Sequence, residues 1–579
     1  MAKWQGGMTG NKQKTGPNPI HVETIDSSAT QITQSQLPQR SLAALFVFMF
    51  VLLIAPWASQ FTHHHPDEYH YVDGGAFMIE HGQWLFPHTA DGELRLVKPV
   101  LPYWLSAAGL WLGDASLLGV RGMWLLAAAI TLFLTYLIAN IVSANSHIAL
   151  TSLVLTAANP ILIQASFTTT PDMPLTLFMT LAAYGGLGAM NSAKNTSCWS
   201  WWFWIGVALA VLSKGMLPLL FVGYVIIFLG AFDRSSLLRL AKPAPIVIAF
   251  CVIAAWYGFA YFSYPDEFIT QFFGDQIFKK MTHDWWHPTG QFLKNMMLIL
   301  CSAFPLSIIA LFRTNKFGKR REAAAHISSR KFILTWIFVV AVVFAFSKWT
   351  SHLYFLPLIP LLSVFLAIKL HEFDIPPSLL RRYFWSYGAL MFSIVSIVSI
   401  LVVSQIGNLF DVLFVIIISF VAIATLRVSL ERWKIQIRLS AIPLILLAIV
   451  TFPIQRIVLP DLGQSIANAI PSDVKLDRAV VLIGNRILGS ELKIALRHAV
   501  PVTTKRSFDP KTDCSLQTVV TLDQGVRDSL EECGFDVTVV RAGWREVDLQ
   551  VLFNSLVSGD LKLMREKYLA EAYVVAKED

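Results

Sequence analysis

Apolar runs of membrane-crossing length follow one another from residue 41 to residue 459, broken by short polar stretches. Windows of about 18–22 apolar residues predict thirteen spans, near 41–58, 118–142, 147–163, 171–190, 200–213, 216–232, 244–262, 293–312, 331–346, 353–369, 384–404, 409–427 and 440–459. Several are short, and the pair around Lys214 reads also as one broken helix. Residues 60–115 are too long for a simple turn and carry two helical patterns. In the first, Tyr69, Val72, Ala76 and Ile79 share one face at the 3.6-residue period, while Asp67 and Tyr71 share the other and point toward a cavity. This is the pattern of an amphipathic helix lying along a membrane surface. The second, Tyr103–Leu112, is almost wholly apolar and dips into the interface, with Lys98-Pro99 at its start; proline suits a first helical turn. Beyond residue 460 the long runs stop. Strand-like runs at Ala479–Ile483, Thr518–Leu522 and Val537–Val540, with helical patterns near Ser490–His498 and Val547–Leu556, predict a small α/β domain.

Composition agrees with the span pattern. The chain is 55% hydrophobic and only 15% charged, which excludes an ordinary soluble protein. Residues 1–40 read as a polar cytoplasmic tail without a signal-peptide pattern. Basic residues mark four loops: Arg234 to Lys242, Arg313 to Lys331, Arg381-Arg382, and Arg427 to Arg438. The positive-inside rule makes these cytoplasmic, and alternation through thirteen spans puts all four on the side of the N-terminus. The net charge of +8 therefore belongs to membrane topology, with no nucleic-acid module in view. Asp67, Glu68, Lys98, Asp172, Lys214, the 263–292 loop, Lys348, Tyr354 and the tail at 460–579 all fall on the opposite face. Five cysteines are too few for a disulfide scaffold. Cys198, Cys251 and Cys301 read as packing residues, whereas Cys514 and Cys533 could pair if the tail lies in an oxidising compartment.

Asp67-Glu68 is the first candidate for chemistry, because charges at membrane depth are expensive and cluster at functional sites. Acids also cap helices, and Asp172 beside Pro171 allows the same two readings. Lys98 reads as a snorkelling lysine or as a cation that, with a helix N-terminus, holds an anion. His63–His65 reads as a solvated loop, not a metal site.

Five motifs in order carry a resemblance over roughly residues 40–370. They are Asp67-Glu68-x-x-Tyr71 with Gly82-x-Trp84-Leu85, Lys98-Pro99-x-x-x-Tyr103-Trp104-Leu105, Pro171-Asp172-x-Pro174-Leu175, Leu212-Ser213-Lys214-Gly215, and Ser347-Lys348 followed by Tyr354-x-Leu356-Pro357. The chain resembles the lipid A 4-amino-4-deoxy-L-arabinose transferases, relatives of the protein O-mannosyltransferases within the GT-C glycosyltransferases. It departs at His70, where the family often has Arg, and at Val100, where the family has a second proline.

The resemblance implies an all-α polytopic GT-C protein with about thirteen transmembrane helices and extracytoplasmic juxtamembrane helices, followed by a small C-terminal α/β domain. The transmembrane catalytic domain would be 41–459, with extracytoplasmic loops at 60–115 and 263–292. The implied reaction moves a sugar from a polyprenyl-phosphate carrier to lipid A or another envelope acceptor, with inversion, at the periplasmic face of a bacterial inner membrane. By resemblance Asp67 is the base or orienting carboxylate, Asp172 joins the same cavity and Glu68 supports it. The departing phosphate needs cations and hydrogen-bond donors; Lys98 is the first candidate, with Lys214, Lys348, Tyr71 and Tyr354 as helpers. In the family the loop equivalent to 263–292 closes over the site, which makes His283 and His287 candidate substrate residues; a plain aromatic belt is the other reading of that loop. No cofactor is required and no metal-ligand spacing stands out, although a divalent metal is compatible with GT-C chemistry. Other partners are membrane lipids, and a monomer is expected. A protein Ser/Thr or polysaccharide acceptor keeps the same chemistry. A secondary transporter would instead gather charge near the bilayer midplane in two related halves, and a scaffold for envelope assembly is a further alternative.

Overall fold

A computed structural model of the chain describes residues 26–60, 67–89, 92–192, 197–275, 287–302, 324–346, 351–372, 462–470, 480–484, 486–496, 502–505, 507–514, 518–543 and 569–576, with a few single positions. The helical part runs α1 (Asp26–Gln60), α2 (Glu68–His81), α3 (Leu101–Leu112), α4 (Leu117–Ser143), α5 (Ser146–Ala157), α6 (Pro160–Ser166), α7 (Asp172–Asn191), α8 (Cys198–Lys214), α9 (Leu217–Phe232), α10 (Arg234–Leu240), α11 (Pro243–Ser263) and α12 (Pro265–Phe268). A π-helical turn (Ile269–Asp275), α13 (His287–Ser302), α14 (Ala324–Ala345), a 3-10 helix (His352–Leu358) and α15 (Ile359–Glu372) complete it.

Six described helical stretches are long and apolar enough to cross a membrane: Gln39–Ser59, Leu117–Ser143, Asp172–Asn191, Pro243–Ser263, Ser328–Ala345 and His352–His371. The pair α5–α6, bent by 66°, makes a seventh if it is one broken span. The protein is therefore a mostly helical, multi-pass membrane protein. The expected spans 384–404, 409–427 and 440–459 lie outside the described residues, so the count of thirteen is not reached among those described. The stretches expected at 200–213 and 216–232 are separate helices, α8 and α9, of 17 and 16 residues. Gly215 breaks them at φ 108°, a backbone geometry that only glycine adopts without strain.

Small residues let the inner helices approach closely, as in other membrane bundles. A Cβ on Gly185 of α7 would lie 2.5 Å from the Phe203 backbone nitrogen of α8, and one on Gly206 of α8 2.5 Å from that of Ala182 of α7. The helices α4, α7 and the 3-10/α15 segment form the buried centre, while α1 and α11 turn most of their apolar surface outward. Cys198 and Cys251 are on that outer surface, which corrects their reading as packing residues.

The tail is the expected α/β unit. It comprises α16 (Leu462–Ala469), β1 (Val480–Ile483), α17 (Arg486–Ala495), β2 (Val502–Lys505), α18 (Pro510–Asp513), β3 (Thr518–Thr521), α19 (Gln524–Glu532), β4 (Asp536–Gly543) and β5 (Leu569–Ala576). Its sheet has the order β2-β1-β3-β5-β4. β1 is parallel to β2 and β3, and β5 is antiparallel to β3 and β4. Alternate residues feed two cores: Val480, Leu482 and Val520 pack with Leu488 and Leu492 on one face, and Val481, Ile483 and Val519 with Leu530 and Phe535 on the other. Burial on both faces explains why β1 and β3 read as continuous apolar runs. The short, mostly polar β2 and the terminal β5 are absent from the sequence expectation; the helix expected near Val547–Leu556 lies outside the described residues. Cys514 and Cys533 form a disulfide with their Cα atoms 5.6 Å apart. The tail touches the helical part through α17, which packs on α2 and places Ile494 in the large helical core.

Candidate active site

The helix α2 starts one residue after Asp67 and ends at Gly82, whose φ of 67° and N–H bond to the Met78 carbonyl close its last turn. Asp67 occupies the N-cap position but makes no capping hydrogen bond with its side chain, and it is exposed. Helix capping therefore does not account for this carboxylate. Glu68 is fully buried. Its carboxylate accepts from Arg121 Nε at 2.8 Å, from Arg121 Nη2 at 3.1 Å and from the Thr169 backbone N–H at 2.9 Å. Arg121, the fifth residue of α4, is itself fully buried. Three elements are thus held by one carboxylate, and Trp124 of α4 adds a bond from its indole N–H to the Thr170 carbonyl at 2.6 Å. Buried backbone groups of the 167–171 turn need such partners. That turn leads directly into Asp172.

Asp172 begins α7 and is 5% exposed. Its side chain pairs with Lys214 at the C-terminal end of α8, where a cation also complements the helix dipole. The Lys214 ammonium stands 4.3 Å from the centre of the Tyr354 ring, a cation–π contact. Ser351 starts the 3-10 helix carrying Tyr354 by accepting from the Leu353 N–H.

Tyr71 joins the two clusters. It is buried on α2 with its ring 5.1 Å from that of Tyr103 on α3, and Asp67, Arg95 and Asp172 are all near enough to act on its phenol electrostatically. Burial pushes its pKa well above the ordinary 10, and Tyr103, Asp67 and Asp172 add to that, so the phenol stays a hydrogen-bond donor. The expected two-faced surface helix is corrected here. Tyr71 through Met78 are all buried and Ile79 is exposed, because α3 packs over the side predicted to be open: a Cβ on Gly75 would lie 2.7 Å from Ser106 Cβ.

The loop after α2 is pinned to the segment 256–271. Trp256 Nε1 bonds the Leu85 carbonyl at 2.9 Å, and the Gln271 side chain accepts from Leu96 N–H at 2.7 Å while donating to the Leu94 carbonyl at 3.3 Å. Lys98 is half-buried two residues beyond Leu96. The helix α3 starts at Leu101 with Pro102 in its first turn, so Lys98-Pro99 precedes the helix instead of opening it.

The fold thus brings together Asp67, Glu68, Tyr71, Asp172, Lys214 and Tyr354. His283 and Lys348 lie outside the described residues. His287 begins α13, and the stretch expected as a loop at 263–292 is in part helical, through α12 and the π-helical turn. Among the described residues no group of three His, Cys, Asp or Glu side chains could hold a metal ion. Arg121 and Arg95 escaped the sequence reading. An arginine inside an apolar span is itself a signal of function; Arg95 had none beyond its position three residues before Lys98.

A multi-pass helical protein with paired acids and cations at the ends of its central helices is the class defined by fold and site. Comparison places it further. The family profile of dolichyl-phosphate-mannose-protein mannosyltransferases matches residues 41–266. An uncharacterised protein of Aquifex aeolicus is 28% identical over 52% of this chain and 58% of its own length. The undecaprenyl phosphate-alpha-4-amino-4-deoxy-L-arabinose arabinosyl transferase of Pectobacterium carotovorum is 23% identical over 52% of this chain and 54% of its own. The chain thus spans a little over half the length of these curated relatives. ArnT from Cupriavidus metallidurans superimposes in its apo state with a TM-score of 0.61, covering 87% of this chain and 97% of that one at 17% identity. Its structure bound to undecaprenyl phosphate gives 0.63, with 86% and 96% covered. The resemblance carried by the motifs is borne out by these matches: the chain is similar to the mannosyltransferase and arabinosyl transferase glycosyltransferases, and it has the fold of ArnT.

Proposed function

We propose that the protein transfers a sugar from a polyprenyl-phosphate carrier to lipid A or another envelope glycolipid, at the periplasmic face of a bacterial inner membrane. The observation that carries this reading is the clasp that brings Asp67 and Asp172 to one buried tyrosine, Tyr71, beside cations from two other elements. The names of the arabinosyl transferase relatives, and the undecaprenyl phosphate bound by the structural neighbour, supply the donor class. The disulfide at Cys514–Cys533 supports an extracytoplasmic, oxidising location for the tail.

The acceptor oxygen attacks the anomeric carbon as the bond from that carbon to the phosphate oxygen breaks. The electron pair leaves with the carrier phosphate, and the configuration inverts. Asp67 takes the acceptor's proton when the acceptor is a hydroxyl; with an ionised phosphate it orients the acceptor. Lys98 and Tyr71 meet the charge developing on the leaving phosphate, with Lys348 and Tyr354 as helpers. Asp172 holds Lys214 in place for the same task, and Glu68 fixes the first turn of α2. His283 and His287 are assigned to the substrate-covering segment. The chemistry needs no resident cofactor, and a monomer suffices.

A protein Ser/Thr acceptor is the second reading, favoured by the mannosyltransferase profile over residues 41–266. Mass spectrometry of lipid A and envelope proteins from cells with and without the chain tests both. A glycan lost from lipid A supports the first reading, one lost from a protein the second, and no change in either class contradicts both.

A further inference from the structure

The sequence segment 82–100 does more than connect two helices. It folds back on itself through a bridge between His88 and Leu94, with Thr89 N–H bonded to the Glu93 carbonyl at 2.8 Å and Arg95 N–H to the Pro87 carbonyl at 2.8 Å. Gln271 grips the backbone on either side of Arg95, at Leu94 and Leu96. The protein thereby fixes one arginine with three backbone bonds, and its guanidinium stands within reach of the Tyr103 phenol. Arg95 Nε and the Tyr103 hydroxyl are both buried without a hydrogen-bond partner among the described residues. Arg95 acts electrostatically on both Tyr103 and Tyr71. Buried polar groups left without partners are costly, and a held guanidinium fork suits the oxygens of a phosphate.

We infer that Arg95, with the phenols of Tyr103 and Tyr71, forms a phosphate-recognition element separate from the Lys214–Asp172 pair and takes a phosphate group of the reacting lipids. The inference rests on the proposed glycosyl transfer and deepens it. The phosphate is either the carrier lipid's, a diester in the donor and a monoester once the sugar has left, or one on a phosphorylated acceptor such as lipid A. Tyr103 and Tyr71 donate to its oxygens, and the clamp by Gln271 keeps Arg95 in place before the ligand arrives, which lowers the ordering cost of binding.

The test uses the full chain in lipid nanodiscs, as wild type, Arg95→Gln, Arg95→Lys and Tyr103→Phe. Binding of undecaprenyl phosphate, undecaprenol and lipid A is measured by titration, and Tm is recorded without ligand. Arg95→Gln is expected to weaken one phosphate lipid by about ten- to a hundredfold and to leave undecaprenol unchanged. Arg95→Lys recovers part of the loss, and Tyr103→Phe weakens the same lipid by a smaller factor. Weakened undecaprenyl phosphate identifies the carrier as the source, weakened lipid A the acceptor. The ligand-free Tm of Arg95→Gln is expected at or above the wild-type value, because an unpartnered buried group is removed; a lowered Tm marks Arg95 as structural and overturns the assignment. Wild-type affinity of Arg95→Gln for both phosphate lipids overturns the Arg95 assignment alone. A wild-type chain that binds neither phosphate lipid overturns the donor reading and this one with it.

Discussion

Glu68 and Arg121 form a two-point ion pair, at 2.8 and 3.1 Å, with neither side chain exposed to solvent. The third bond to Glu68, from Thr169 N–H at 2.9 Å, ties this pair to the turn that presents Asp172. A buried pair of this kind is not a large net source of stability, since desolvation of two charges offsets their attraction. Its effect is to fix where α2 sits relative to α7, and breaking one side leaves a stranded charge. Glu68→Gln is therefore expected to lower stability by about 3–5 kcal/mol, read as a fall in Tm, together with a loss of turnover. A variant with unchanged Tm would show that the clasp is dispensable.

The pairing of Asp172 with Lys214 makes a separate prediction. In Asp172→Asn the ammonium loses its counter-charge and is left with the Tyr354 ring contact alone. Donor binding should persist, while kcat falls by about tenfold or more as the ammonium is no longer held in the geometry the leaving phosphate needs. A fall in donor affinity with unchanged kcat would reverse the roles of the two residues.

Tyr71 supplies a pH dependence. Burial, with Tyr103 and Asp67, raises its folded-state pKa above the unfolded value near 10. The folded state then holds its proton where the unfolded chain has lost it, so this contribution is complete below about pH 10 and is lost as pH rises further. Melting curves between pH 7 and pH 11 should show a decline that begins near pH 10 and is smaller in Tyr71→Phe. An identical decline in both proteins would assign the alkaline loss to other groups.

Reduction of the Cys514–Cys533 disulfide, which spans 19 residues, should destabilise the tail by about 3 kcal/mol. Limited proteolysis with and without a reductant reads this as faster cleavage between residues 500 and 579 while the helical part stays intact. An unchanged cleavage rate would count against the bond.

The long apolar spans and the tail strands β1, β3 and β4 were legible because a helix crossing lipid and a strand buried on both faces need uninterrupted apolar runs. The strands β2 and β5 were not, since Val502–Lys505 is short and mostly polar and β5 finds its place only by pairing across the chain with β3 and β4. Motif order singled out Asp67, Tyr71, Asp172, Lys214 and Tyr354, which the fold places near one another. Periodicity misjudged α2, because α3 covers the face that a lone helix would leave open. The partner of Glu68 was hidden because it is distant in sequence: Arg121 is 53 positions away, and only α3, which packs on both α2 and α4, brings them together. Arg95 is visible only once Gln271, from beyond α11, is seen holding its backbone.

The central claim is that Asp67, exposed beside a buried Glu68, acts in sugar transfer from a polyprenyl-phosphate donor. The most direct measurement is release of undecaprenyl phosphate from a labelled undecaprenyl-phosphate sugar by wild type and Asp67→Asn in proteoliposomes containing lipid A, with Tm recorded for both. The wild type is expected to turn over and Asp67→Asn to show nothing above background, with matching Tm values, because Asp67 is exposed at the start of α2. Near-normal release by a folded Asp67→Asn would contradict it.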